Sequence, residues 1–100
     1  SAAQNALLDG VTLSYGNANG TGDNGQGAAV FCRGGLTMQN VIMNNSTGLT
    51  NGQLIRNRSV SANLKLTDCK LYGPNDNFTK VLNTNSAQLT ILGNTMFLKE

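Results

Sequence analysis

LTMQNVIM, residues 36–43, alternates apolar and polar residues as a half-buried strand does, loses the alternation at Gln39-Asn40, and then resumes it. Three further stretches repeat this shape with no gap inside the unit: ALLDGVTL (6–13), LKLTDCKL (64–71) and LTILGNTM (89–96). Position one is Ala6, Leu36, Leu64 and Leu89; position three is Leu8, Met38, Leu66 and Ile91; position eight is Leu13, Met43, Leu71 and Met96. Position five is Gly10, Asn40, Asp68 and Gly93. These are the residue types that best tolerate left-handed backbone angles.

Side chains alternate across a strand with period two, so positions one and three share a face, and positions six and eight fall on the other face if the strand simply continues. A sharp bend at position five restores the inward side, and each unit reads as two short strands joined at a corner. The expected core columns are Leu8, Leu36, Met38, Val41, Met43, Leu64, Leu66, Leu71, Leu89, Ile91 and Met96. Asn94 falls in the inward position-six column with Val11, Val41 and Cys69. A buried amide there needs partners, so Asn94 is expected to bond backbone at the bend.

Units beginning at 6, 36, 64 and 89 are spaced by 30, 28 and 25 residues, and each gap holds another short apolar run: AAVF (28–31), QLIR (53–56) and KVLN (80–83). These supply a third strand per turn. Variable polar segments, SYGNANGTGDNGQG, NNSTGLTNG and YGPNDNFT, separate the second strand from the third. Constant strands with one variable loop per repeat describe a solenoid, all-β and three-sheeted, of about 3.5 coils of 25–30 residues. One coil cannot bury its own interior, so coils stack by parallel pairing at about 4.8 Å, with Asn and Thr available for hydrogen-bonded ladders at the turns. A β-sandwich or small antiparallel barrel is the alternative, but it does not require the same phase break in all four units. The whole chain, 1–100, is expected to be a single solenoid domain or a fragment of a longer one.

GAAVFCRGGLTMQNVIMNNSTG (27–48) resembles the repeat of right-handed parallel β-helix proteins, particularly polymorphic membrane protein and adhesin-type repeats, in which a GGAI-like strand and a Gly turn precede an LTI-x-N-x-x-F strand pair ending in Asn-Asn. LTILGNTM (89–96) is similar to the I-x-GN-x-F element of the same superfamily. The resemblance implies a right-handed three-sheet helix. It departs from the adhesin pattern at Ala28 and Met43, and it specifies fold far better than function, since such helices include autotransporter passengers, virus tailspikes and pectin-degrading lyases.

Composition agrees with many short strands and turns: 15 Asn, 12 Gly and 10 Thr against 12% charged and 5% aromatic residues, with no Trp and no His. A formal charge of +2 is too small to indicate nucleic-acid binding, and no apolar run is long enough to span a membrane as a helix. Cys32 and Cys69, 37 residues apart, belong to no CxxC pattern. They read as buried free thiols, and two coil spacings of roughly 9–10 Å put them beyond disulfide reach.

No catalytic, metal or cofactor motif stands out. The five acids are Asp9, Asp23, Asp68, Asp76 and Glu100; Asp9 sits at position four and Asp68 at position five two coils away, so they make no adjacent pair for glycoside hydrolysis. NGTGDNGQG has the composition of a weak calcium loop but only one carboxylate, Asp23. Thr37, Thr67 and Thr90 suggest an ice-binding array that Gln39 and Lys65 interrupt, and the sequons at Asn19, Asn44, Asn45, Asn57 and Asn77 are expected by chance in so Asn-rich a chain. Arg33, Arg56, Arg58 and Lys80 gather on the third strand and its flanks as a candidate binding stripe for an acidic glycan or surface partner, or else as ordinary solvated residues.

Both ends of such a stack expose apolar columns and strand edges, which neighbouring copies, other chains or further coils must cover. The expectation is therefore a non-enzymatic structural or adhesive module, extracellular, at a cell surface or on a virion, acting by self-association and by a presented surface. The alternative is a fragment of a carbohydrate-binding or carbohydrate-cleaving helix whose catalytic residues lie outside these 100 residues.

Overall fold

The computed structural model of the chain describes residues 6–18, 29–45, 47–48, 53–58, 61–74 and 79–100. The phase break at position five becomes a corner in every unit: Gly10, Asn40, Asp68 and Gly93 all have left-handed φ, at 71°, 53°, 52° and 63°. Before the corner run β1 (Ala6–Asp9), β5 (Gly35–Gln39), β9 (Asn63–Thr67) and β12 (Gln88–Leu92), which form the first sheet in that order. After it run β2 (Thr12–Ser14), β6 (Ile42–Asn44), β10 (Lys70–Gly73) and β13 (Met96–Lys99), the second sheet. The third sheet is β4 (Val30–Cys32), β8 (Gln53–Arg58) and β11 (Thr79–Thr84).

Every pairing within these sheets is parallel, which rules out the hairpin-based sandwich and barrel. The chain visits the three sheets in turn and climbs one strand at each visit, so the molecule is a parallel three-sheet solenoid. The register is the one the columns predict: Leu36 pairs with both Ala6 and Leu64, Met38 with Leu66, and Leu64 with Leu89. A small extra sheet was not foreseen. β3 (Asn17–Ala18) pairs in parallel with β7 (Thr47–Gly48), inside the segments read as variable loops.

The fourth unit departs from the ungapped alignment. Lys70 pairs with Met96 and Leu71 with Phe97, whereas the strand before the corner keeps Leu64 opposite Leu89. One residue has entered the corner, as a Gly93-Asn94 turn. Thr95 therefore takes the position-six place beneath Cys69, whose N–H donates to Thr95 Oγ1 at 3.3 Å. Asn94 is exposed rather than inward, and its backbone N–H donates to Asp68 Oδ1 at 2.7 Å.

The fully buried side chains Met38, Val41, Met43, Leu64, Leu66 and Leu71 are the predicted columns of the two central coils. The third sheet adds Cys32, Leu54 and Ile55, and the corners add Ala62, Cys69 and Ala87. Each fully buried Leu contributes about 1.5–3 kcal/mol over its exposed state, so this interior is the main source of stability. Leu8, Leu36 and Leu89 are partly buried against it. Two expected core residues are not core. Ile91 is in register with buried Leu66 but belongs to the last coil and stays 44% exposed, and Met96 lies outward in register with exposed Lys70.

Candidate binding face on the third sheet

In β8 the alternation that starts at Ile55 turns Ile55 and Asn57 into the interior, both fully buried, and leaves Arg56 and Arg58 half-buried on the outer face. The neighbours follow by register. Val30, Ile55 and Val81 form one inward column, and Cys32, Asn57 and Asn83 the next. Phe31, Arg56 and Leu82 form the outer column between them, with Arg58 opposite Thr84.

Arg56 thus lies between an aromatic ring on one neighbouring strand and an aliphatic side chain on the other. Its Nε is buried without a hydrogen-bond partner among the described residues. Arg33, one residue beyond β4, is exposed and places its guanidinium carbon 4.9 Å from the centre of the Phe31 ring, within cation–π range. Lys80 is half-buried near the start of β11. The four predicted cations therefore do share the third sheet and its rim: Arg33, Arg56 and Arg58 cluster on the first two strands, and Lys80 sits at the opposite end of the outermost one.

The described carboxylates lie elsewhere. Asp9 accepts from Gln39 Nε2 at 3.2 Å and Asn40 Nδ2 at 3.3 Å, Asp68 accepts from the Asn94 backbone, and Glu100 Oε1 accepts from the Asn45 backbone at 2.6 Å. Asp9 and Asp68 serve the first corner, as rungs joining one coil to the next. Asp23 and Asp76, and with Asp23 the NGTGDNGQG loop, lie outside the described residues. Among the described residues no three Cys, Asp or Glu side chains come together.

Beneath the basic face runs an amide ladder. Asn57 Nδ2 donates to Asn83 Oδ1 at 2.6 Å and to the Gln88 carbonyl at 2.9 Å, and Asn83 Nδ2 donates to the Ala87 carbonyl at 2.7 Å. Asn57 is fully buried, so its sequon is part of the scaffold. Cys32 ends the same column and its thiol donates to the Gly34 carbonyl at 3.2 Å. Burial pushes the Cys32 thiol above its ordinary value, and the Gly34 backbone hydrogen bond opposes that shift. Cys69 is also free and buried, its thiol facing the Met38 and Thr67 carbonyls.

At the first coil, an open depression of about 320 Å³ is lined by Thr12, Leu13, Ser14, Gly16 and Ala29. It brings two hydroxyls and no charge. The chemistry concentrated on the described surface is therefore cationic and aromatic. Comparison with protein-family models, with curated proteins and with solved structures finds no match to the chain.

Proposed function

We propose that the chain is a non-enzymatic structural or adhesive β-solenoid module of an extracellular surface or a virus particle, of the right-handed β-helix type of polymorphic membrane protein and adhesin repeats. It works by self-association and by the surface that its sheets present.

The observation that carries this reading is the last coil. Ile91 and Phe97, in the inward columns that continue Leu66 and Leu71, remain 44% and 43% exposed, and among the described residues β11, β12 and β13 each pair on one side only. Bare apolar columns beside unpaired strand edges favour strand addition. A second copy of the chain fits, because every coil is built on the same three sheets and, among the described residues, β1, β2 and β4 of the first coil also pair on one side only. The contact is head-to-tail, a geometry that propagates rather than closes.

Light scattering across a concentration series tests it. Molar mass should rise with concentration in the native chain and fall to the monomer in Ile91→Lys/Phe97→Lys, with strand content unchanged by circular dichroism. A monomer at every concentration rejects self-association.

A further inference from the structure

We propose that the outer face of the third sheet is a binding site for an acidic polysaccharide, one carrying carboxylate or sulfate groups on its sugars. This deepens the proposed function, on whose presented surface it rests, by naming the ligand class and the residues that hold it.

Three features of the face point to this class. Arg56 and Arg58 are two residues apart on one strand, about 6.7 Å along the outer face, and Arg33 stands beside the neighbouring strand about 4.8 Å away in the pairing direction. Guanidinium groups at such spacing suit a chain of repeated anions, which they meet by charge-assisted hydrogen bonds.

Next, two of the three are oriented by apolar neighbours. Arg33 lies over the Phe31 ring, and Arg56 is placed by register between Phe31 and Leu82, with its Nε buried. A planar cation over a ring keeps its N–H edges out of that contact, so the Phe31 ring holds the Arg33 guanidinium without consuming its hydrogen bonds.

Finally, Phe31 and Leu82 add apolar surface between the charges, which matches the C–H faces of sugar rings and has no counterpart in a bare phosphate backbone.

The test is equilibrium binding of the full chain, at low and at physiological salt, to heparin and polygalacturonate as acidic glycans, with a neutral dextran and a single-stranded polynucleotide as comparators. The same samples are run on light scattering, so that loss of glycan binding and loss of self-association are read separately. Heparin or polygalacturonate should bind, dextran should not, and Arg56→Glu/Arg58→Glu should weaken binding by roughly tenfold per reversed charge without changing molar mass or strand content. Phe31→Leu, which keeps the apolar contact and removes the ring under Arg33, should weaken glycan binding several-fold. Acidic glycan binding that is absent, that survives the double reversal, or that is matched by the polynucleotide overturns the proposal.

Discussion

Asn57 and Asn83 face each other on adjacent coils, where the 2.6 Å bond from Asn57 Nδ2 to Asn83 Oδ1 joins two strands of the third sheet and Asn83 Nδ2 passes the chain of bonds on to the Ala87 carbonyl at the corner. The second Asn57 bond, to the Gln88 carbonyl, reaches the start of β12. Asn57→Ala removes two hydrogen bonds made from a fully buried side chain, each worth about 0.5–1.5 kcal/mol net, so it should cost about 1–3 kcal/mol in urea unfolding. Asn57→Asp should cost more, because it puts a charge at a fully buried position and removes the donor of both bonds. Full stability in either variant would show that the ladder is not formed.

The corner glycines differ in their surroundings. Gly10 has open space where a side chain would go, whereas a Cβ at Gly93 would stand 2.3 Å from Asp68 Oδ1. Both have left-handed φ, so Ala at either position carries the backbone penalty of roughly 1–2 kcal/mol. Gly93→Ala should be the more destabilising because Asp68 must also move away from the Asn94 N–H. Equal costs would contradict the crowding.

Depth in the stack should set the cost of truncation. Leu64 is fully buried between Leu36 and Leu89, and Leu64→Ala should lose about 2–5 kcal/mol. Ile91→Ala in the open last coil should lose less than about 1.5 kcal/mol, since much of that side chain already meets solvent. Thermal unfolding at one concentration compares the two directly.

The Cys32 thiol gives stability a pH dependence. Its pKa is raised in the folded chain, chiefly by burial, so the unfolded chain releases its proton first as pH climbs. The contribution is intact below the ordinary thiol value of 9.0 and is lost as pH rises from there through the folded value. Denaturant midpoints should fall above that pH, and Cys32→Ala should flatten the decline. A midpoint that rises with pH in this window would reverse the sign.

The two central coils were legible because each column there has a single physical meaning: left-handed backbone at Asn40 and Asp68, and buried side chains at Met38, Leu64, Leu66 and Leu71. The fourth unit misled because Met96 and Phe97 are both apolar, so an inserted residue leaves the hydrophobic pattern unchanged. Only the Gly93-Asn94 pair, ordinary turn chemistry, could have signalled it. Ile91 was placed in the right column, but exposure at the last coil depends on what lies above, which no column states. In the third sheet Asn57 was missed as an interior residue. Its clue was spacing: Cys32, Asn57 and Asn83 each fall two residues after an inward Val30, Ile55 or Val81.

Every proposal above depends on parallel, in-register stacking of the coils, and a cysteine crosslink measures it most directly. Thr37 and Lys65 are register partners on adjacent strands of the first sheet, and Thr90 lies one strand further along the same column. In a Cys32→Ala/Cys69→Ala background, Thr37→Cys/Lys65→Cys should oxidise to an intrachain disulfide, since paired strands bring Cα atoms to about 5 Å. Thr37→Cys/Thr90→Cys, separated by two coil spacings of about 9.6 Å in all, should stay reduced under the same conditions. A 37–90 bond that forms as readily as 37–65, or a 37–65 pair that does not close, would contradict the parallel stack.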